Sequence, residues 1–391
     1  MRTGVVIAGF CTFLPVYATQ PLLPQFQQLF SASVLATSLT VSAVTAAVAL
    51  AAPWVGLLAD SVGRKRVAVA AILGLSVPTC LAATASTLPQ LIGWRFAQGL
   101  FVPGIIAVTL AYIAEESRPG ATASMMAAYV TGTVLGGMSG RFITAAVAER
   151  FGWHNAFLVL GVITAAGGVL VWLCLPRSRH FVPQRDPLQS LRSMGGHFRN
   201  IRLWATYFVG FNSLFTMVGV FTCVNFYLAG EPFRLGLVAL GSVFFVYGLG
   251  VVITPVAGPL IDRFGYRAAM VAAGLIVIAG ALLTLIPITW SVILGLAVLS
   301  TGIFIAQSAA SSHIGAVAST ARSSAAGLYV FFYYLGGSAG ATVLSLLWKW
   351  NGWTPCVVCV AAIQLVSAVV ALRLFASKPL AGGESGPVVS P

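Results

Sequence analysis

Long apolar stretches, separated by short polar segments, recur along the whole chain. Each has about 20 residues or more, the length of helix that crosses the hydrocarbon core of a bilayer. The pattern predicts an all-α integral membrane protein with twelve transmembrane helices, and span 1 is expected to be retained rather than cleaved as a signal peptide. We number these spans 1 to 12, at approximately 4–25, 34–59, 67–86, 89–113, 121–147, 153–175, 203–228, 235–261, 268–287, 290–314, 323–347 and 353–375.

The longest polar segment divides the spans into two sets of six. It begins with a proline and contains two more, and proline interrupts helices. The end of the chain is rich in glycine and polar residues and is expected to be disordered. The predicted organisation is an N-terminal six-helix bundle (1–175), a linker (176–202), a C-terminal six-helix bundle (203–375) and a tail (376–391).

Two sequence segments occur twice, once in each predicted bundle. Segment 56–65 aligns without a gap with 258–267, so that Gly, Asp, Gly and a basic residue occupy matching places. Segment 129–153 aligns in the same way with 329–353. An internal repeat of membrane-spanning units is typical of transporters. The repeat therefore predicts two pseudo-symmetric bundles.

Composition and charge support a membrane location and indicate an orientation. Of all residues 59% are hydrophobic and 7% are charged, against roughly 25% charged in an ordinary soluble domain. Most basic residues lie in segments on the side of the N-terminus, and the opposite segments hold only Arg150, Arg234 and Lys349. This bias predicts a multi-pass membrane protein with both termini, the linker and the tail in the cytoplasm. The net charge of +13 is then matched to the anionic inner leaflet, and no nucleic-acid partner is expected.

The repeated loop has the composition of a tight turn with a gating role. Its glycines supply backbone freedom, whereas Asp60 and Asp262 follow helix C-termini, where the helix dipole disfavours a carboxylate. Each aspartate should therefore be held by a base or by the N-terminus of another helix. The predicted gating residues are Gly56, Asp60, Gly63, Arg64, Lys65, Gly258, Asp262, Gly265 and Arg267.

Polar side chains inside the spans are the candidates for substrate binding, because each is costly in hydrocarbon. Arg95 and Arg141 lie deep in spans 4 and 5, and no carboxylate lies equally deep. Arg141 has Ala341 as its repeat partner, so a small residue is sufficient for packing at this position. The positive charge of Arg141 is therefore expected to serve an added function. The alternatives are snorkelling for the arginines and helix–helix hydrogen bonds for the hydroxyl residues. The predicted substrate-binding residues are Tyr17, Gln20, Arg95, Gln98, Arg141, Asn212, Thr216, Gln307, Ser311, Tyr329 and Tyr333.

These segments together resemble the major facilitator superfamily, over the whole chain apart from the tail. Segment 56–66 is similar to that family's loop between helices 2 and 3, and segment 91–104 to its helix-4 motif with an intramembrane arginine. Segment 132–141 resembles the helix-5 antiporter motif but departs from it at Gly137 and Arg141. Segments 20–21, 136–141, 178–181, 309–312 and 333–336 also look like the arabinose-efflux-like group of bacterial inner-membrane transporters. This resemblance implies a location in a bacterial inner (plasma) membrane. The resemblance implies that helices 1, 4, 7 and 10 line a central cavity.

The resemblance also places spans 5 and 11 at the contact between the bundles. Both spans carry glycines near helical spacing, and small residues let helix backbones approach closely. Static packing within a bundle is the alternative. The glycines expected to pack between the bundles are Gly132, Gly136, Gly137, Gly140, Gly336, Gly337 and Gly340.

Secondary active transport is the function that the sequence predicts. The spans contain no nucleophile set or paired carboxylates of an embedded enzyme, and no nucleotide-binding motif of a pump. The six cysteines predict packing residues rather than a metal site. We expect a monomer in the lipid bilayer that works by alternating access, without a cofactor, and uses the proton gradient to export a small organic molecule (a drug-like compound, sugar or metabolite). The alternative is uptake or facilitated diffusion of a small anionic or hydroxylated metabolite.

Overall fold

The computed structural model describes residues 1–62, 64–117, 121–176, 200–317 and 322–375. The side chains of 55–62, 123, 315, 316 and 322–324 are outside this description. The part left out therefore comprises most of the predicted linker, the whole predicted tail, Gly63 and the side chains that precede it in the first repeated loop. Within the described ranges every regular element is a helix.

Each predicted span is a helix or a broken helix. Spans 1 to 6 comprise Arg2–Phe13 with Gln20–Leu22 and Leu23–Leu29 (span 1), Val34–Val62, Arg64–Ala82, Leu88–Glu116, Thr122–Phe151 and Trp153–Cys174. Spans 7 to 12 comprise Ile201–Ala229, Leu237–Val243 with Phe244–Gly248 (start of span 8), Leu249–Leu283 (rest of span 8 and span 9), Thr289–Val317, Arg322–Asn351 and Trp353–Leu374. The predicted twelve-helix membrane fold in two bundles is confirmed.

Nine helices within the described residues are long and apolar enough to cross a membrane. One of them covers 237–283 and supplies both span 8 and span 9, and spans 1 and 5 complete the twelve. The junction between spans 8 and 9 lies at Gly265, whose φ is +85°. A left-handed φ is easy for glycine and costly for other residues, which explains glycine in this repeated loop.

Span 1 is broken near its middle. Its first helix, Arg2–Phe13, ends two residues before Pro15, and turns lead from there to the short 3-10 helix Gln20–Leu22. Proline lacks the N–H that would continue the helix. The carbonyl groups at the break are left without intrahelical donors and need other partners.

The two halves meet mainly through two pairs of spans, and the end of span 1 also contacts spans 7 and 8. The described ends of the chain, Met1 and Phe375, lie on one side of the helical array, which we call the terminal face; the opposite side is the far face. Within the halves, span 5 packs on span 1 and span 11 packs on span 7. Between the halves, span 2 packs against span 11 and span 5 against span 8. We call these two contacts the seam.

Candidate functional site

Arg141 of span 5 lies in the seam and is only 2% exposed. Its guanidinium carbon is 4.7 Å from the ring centre of Tyr17 on span 1. It is also 4.5 Å from the ring centre of Phe244 and 4.8 Å from that of Tyr247, both on span 8. Aromatic faces attract a cation through the ring quadrupole. A guanidinium from one half is therefore held by rings from both halves.

Hydrogen bonds complete the surroundings of this cation. Arg141 Nε donates to Gln20 Oε1 at 2.7 Å, and Nη1 donates to the carbonyl oxygen of Gly137 at 2.7 Å. Gln20 Nε2 in turn donates to the hydroxyl of Thr222 on span 7, at 3.2 Å. No carboxylate in the described part of the chain pairs with Arg141. We call Arg141, with Tyr17, Gln20, Phe244 and Tyr247, the cation cage.

Arg95 of span 4 is fully buried, and its guanidinium is occupied by backbone carbonyl groups. Nε donates to the carbonyl oxygen of Thr40 at 3.0 Å and Nη1 to that of Pro15 at 2.7 Å. Nη2 donates to the carbonyl of Val16, and Nη1 also contacts Gln98 Oε1. Two of these carbonyls belong to the break in span 1. Arg95 and Gln98 thus form their contacts within one half, where Arg95 donates to the backbone of spans 1 and 2. This favours a role for the pair in positioning those spans.

Tyrosines surround the middle of the seam. The ring centre of Tyr333 lies 5.7 Å from that of Tyr329 and 5.5 Å from that of Tyr334. Tyr17 of span 1 and Tyr129 of span 5 lie near Tyr334. Three of the predicted substrate-binding residues, Tyr17, Tyr329 and Tyr333, are thereby brought together. The centre of the molecule is aromatic and rich in hydroxyl groups.

The predicted pair on span 7 faces span 12 instead of the centre. Asn212 Nδ2 donates to the hydroxyl of Ser367 at 2.7 Å. The hydroxyl of Thr216 accepts from Gln364 Nε2 at 2.9 Å. Both bonds join two helices of the same half. This placement favours helix–helix hydrogen bonding, the alternative for such residues, over contact with substrate.

The predicted pair on span 10 has one member near the tyrosines. Ser311 is exposed and lies within interaction range of Tyr329. Gln307, one turn away along the helix, is partly exposed. Of the predicted pairs on spans 7 and 10, only the one on span 10 is thus associated with the central tyrosines.

Small hydroxyl residues, which the sequence reasoning missed, join spans 2 and 11. The hydroxyl of Ser42 lies 2.9 Å from that of Thr342 and donates to the carbonyl of Ser338 at 3.2 Å. The hydroxyl of Ser345 donates to that of Ser38 at 2.7 Å. A signal was present in the sequence, since Ser38 and Ser42 are one helical turn apart, as are Ser338 and Thr342. These bonds lie in the halves of the spans nearer the far face.

The second contact of the seam, between spans 5 and 8, is close and apolar. A Cβ atom placed on Gly241 would lie 2.7 Å from the Cβ of Ala145, so only glycine allows this approach. The rings of Phe142 and Phe245 lie 5.3 Å apart beside it. Gly241 was also missed, because no repeat or polar pattern distinguishes it in the sequence.

The glycines of spans 5 and 11 pack within each half. A Cβ on Gly136 would lie 2.1 Å from the carbonyl oxygen of Phe10, and one on Gly336 would lie 2.1 Å from that of Phe211. These glycines were expected to pack between the bundles, and that expectation is wrong. The glycine face of span 5 is covered by span 1, and that of span 11 by span 7, each within its own half. Gly132 and Gly140 approach span 1 in the same way, Gly337 and Gly340 approach span 7, and Gly137 lies beside the Arg141 side chain.

The predicted gating residues gather at the terminal face. Arg64 and Glu115 form an ion pair with an N···O distance of 2.8 Å, which joins the start of span 3 to the end of span 4. Arg267 donates to the carbonyl of Phe375 at 3.0 Å and so holds the end of span 12, whereas Asp262 is exposed. Lys65 lies over Trp172, Gly258 has open space around it and Gly265 forms the turn. Gly63, the surroundings of Gly56 and the side chain of Asp60 lie outside the described residues.

Comparison with known proteins decides the family. A family model described as Major Facilitator Superfamily matches residues 5–341. The chain belongs to the major facilitator superfamily. It is therefore a multi-pass membrane transporter and not an enzyme, and the resemblance predicted from the motifs is confirmed.

Relatives of this major facilitator span most of its length. The uncharacterized MFS-type transporter YybF of Bacillus subtilis is 33% identical, over 92% of this chain and 89% of its own. The inner membrane transport protein YnfM of Escherichia coli is 32% identical, over 94% of this chain and 88% of its own. A solved bacterial homolog of the human lysosomal transporter Spinster superposes with a TM-score of 0.75 at 14% identity, covering 96% of each chain. That structure supports the fold.

Proposed function

We propose that the chain is a secondary active transporter that works by alternating access and exports a small organic molecule in exchange for protons. Membership of the family supports transport. The partial match of segment 132–141 to the antiporter motif supports exchange. An anionic aromatic compound is the first substrate class to test, because a cation and aromatic rings meet in the seam.

The observation that carries this proposal is the cation cage. Arg141 belongs to one half, whereas Phe244 and Tyr247 belong to the other. If the far face opens, these two rings move away with their half, and the guanidinium loses two aromatic partners. A carboxylate on the substrate can replace them through charge-assisted hydrogen bonds. Substrate binding and closure of the seam would then compete for one cation, so that each biases the other.

Hydrogen bonds between the two halves support a rocking motion. Within the described residues they join Ser42 to Thr342, Ser38 to Ser345 and Gln20 to Thr222. All of these lie nearer the far face, so this is the closed face in our proposal. The repeated loops at the terminal face would close the molecule on that side in the opposite state. Their proposed gating residues include Asp60 and Asp262.

The proposed orientation puts the terminal face in the cytoplasm. It rests on the excess of basic residues on the side of the N-terminus. YnfM is named an inner membrane protein, which supports the same location here. We further propose that the monomer is the working unit, because both halves of the seam are supplied by one chain.

Uptake or facilitated diffusion of a small anionic or hydroxylated metabolite is the second candidate. One observation favours it. Proton relays in transporters commonly use intramembrane carboxylates, and none lies deep in a span among the described side chains. The described acidic residues lie at span ends or in a loop: Glu115, Glu116, Glu149, Glu231 and Asp262.

Transport in proteoliposomes tests the proposal. Radiolabelled salicylate, an aromatic anion, is loaded inside or outside vesicles with an imposed pH gradient, and ethidium, an aromatic cation, serves as the comparison. We expect salicylate to move against its gradient when protons flow the other way, and ethidium to move little. Salicylate movement that only follows its own gradient would support facilitated diffusion. Movement of neither anion nor cation would contradict the proposed substrate class.

A further inference from the structure

A groove between spans 3 and 6 lies away from the seam, on the outer surface of the N-terminal half. Spans 3 and 6 pack against each other but take no part in either contact of the seam. All but one of the lining side chains are apolar, and Val169 and Trp172 are about half exposed, at 52% and 49%. The groove has a volume of about 280 Å³ and is lined by Arg66, Val69, Ala70, Leu73, Val169 and Trp172.

Positive charge collects at the terminal-face end of this groove. Span 3 begins with Arg64, Lys65 and Arg66, and its first turn holds no acidic residue. Arg64 pairs with Glu115, whereas Lys65 Nζ lies 5.0 Å from the ring centre of Trp172. Arg66 is exposed and has no ion pair within the described ranges. Because cations at a helix N-terminus are disfavoured by the dipole, an anion at this place would be attracted by side chains and backbone together.

The matching pair of helices in the C-terminal half packs in the same way but carries different residues. Spans 9 and 12 pack against each other as spans 3 and 6 do. Continued without a gap along spans 3 and 6, the two repeat alignments place Ala268 opposite Arg66 and Leu372 opposite Trp172. The fold therefore does not require an arginine and a tryptophan at these positions. Their presence in one half only indicates a ligand on that half.

We propose that this groove binds an anionic phospholipid from the leaflet at the terminal face. One acyl chain lies along the apolar floor of Val69, Leu73 and Val169, where it covers exposed apolar surface. The head-group phosphate lies at Arg66 and Lys65, since a guanidinium binds phosphate through paired N–H donors. Trp172 lies at the level of the head groups, the depth that tryptophan prefers in membranes.

Fluorescence of the full chain in nanodiscs tests this assignment. The discs consist of phosphatidylcholine with a minor fraction of brominated phosphatidylglycerol or, in the matched sample, brominated phosphatidylcholine. Bromine quenches nearby tryptophan, and the Trp172→Phe variant isolates the contribution of Trp172 from that of the other tryptophans. We expect the brominated anionic lipid to quench Trp172 more strongly than the zwitterionic one. Equal quenching of Trp172 by the two lipids would overturn the proposal.

Three variants separate the parts of the proposed site. Arg66→Gln should weaken the preference for the anionic lipid by about fivefold, as expected for one surface cation. Ala70→Leu fills the groove and should reduce quenching of Trp172 by both lipids. Arg373→Gln removes an exposed arginine of the matching end of span 12 and should change neither value. An Arg66→Gln variant that elutes as a folded monomer and keeps the full lipid preference would also overturn the proposal.

Discussion

At the scale of single residues, two buried arginines are stabilised inside the membrane in different ways. Arg95 donates to backbone carbonyls of spans 1 and 2, so its hydration is replaced by fixed dipoles of one half. Arg141 is surrounded by rings and an amide that come from both halves. A buried charge is tolerated only when such partners replace water. Since only Arg141 has partners across the seam, only its surroundings change when the halves move.

Replacement of Arg95 should reduce stability before it reduces transport. Arg95→Ala removes the guanidinium donor to the carbonyls of Pro15, Val16 and Thr40, which should lower the free energy of unfolding by about 3 kcal/mol. Arg95→Lys should recover only part of this, because an ammonium group cannot span the positions of a planar fork. Thermal unfolding in detergent measures the change, with the exposed Arg150→Ala as control. An Arg95→Ala variant as stable as the parent would exclude the positioning role.

Replacement of Arg141 should separate transport from folding. Arg141→Ala keeps both bundles but removes the charge partner of an anionic substrate, so salicylate transport should fall by at least about tenfold. Arg141→Lys should also be impaired, because an ammonium group cannot reproduce the planar guanidinium that lies near three rings and donates to Gln20 and Gly137. Transport and melting temperature are measured on one preparation, again with Arg150→Ala as control. Normal salicylate transport by Arg141→Ala would leave Arg141 with a structural role only.

At the scale of helices, a broken helix is packed closely against an intact one. Span 1 ends its first helix before Pro15, and the backbone of that helix lies directly against the glycines of span 5. This close approach brings Tyr17 and Gln20, just beyond the break, into contact with Arg141. The glycines thus position the cation cage without forming part of it.

A single methyl group should therefore disturb span 5. In Gly136→Ala the new Cβ meets the backbone of Phe10, which cannot move aside as a flexible side chain can. We expect a loss of about 1–3 kcal/mol in the free energy of unfolding, as for other overpacked sites. Gly93→Ala is the matched control, because nothing lies within 4 Å of its Cβ position. Thermal unfolding of the two variants should differ clearly, and equal stabilities would contradict the packing described for spans 1 and 5.

At the scale of the whole molecule, the two contacts of the seam differ in chemistry. Spans 2 and 11 meet through hydroxyl groups such as those of Ser42 and Thr342. Spans 5 and 8 meet through a cation, aromatic rings and the close approach at Gly241. Neither contact buries an ion pair in the described residues. Each hydrogen bond between hydroxyl groups and each ring contact contributes only a modest free energy. Such contacts suit an interface that must open and close.

A disulfide across the seam should stop transport. The hydroxyl oxygens of Ser42 and Thr342 are 2.9 Å apart, so cysteines at these places can reach disulfide geometry. Oxidation of the Ser42→Cys/Thr342→Cys variant should hold the far face closed and abolish transport, and a reducing agent should restore it. The two single variants serve as controls. A cross-linked protein that still transports would refute a rocking motion at this seam.

The sequence by itself determined the spans, the two halves and the family. A bilayer of fixed thickness sets the length of each apolar segment, and backbone groups in lipid must be satisfied within the segment, so each segment becomes a helix. The repeated glycine turn was predictable for the same local reason, and Gly265 has the positive φ that only glycine adopts easily. The gating role of these loops remains a prediction, since no described contact tests it.

The tertiary structure alone decided what each helix face contacts. Spacing predicts that Asn212 and Thr216 share a face, but their hydrogen bonds to span 12 depend on which helix lies opposite. The same holds for Gly136, which packs on its own half, and for Ser42, which forms the seam. Arg141 is recognisable in the sequence as a costly cation, whereas its rings on span 8 are about a hundred residues away and give no signal of their own. Rotation of a helix about its axis is fixed by its neighbours, and a local pattern carries no information about them.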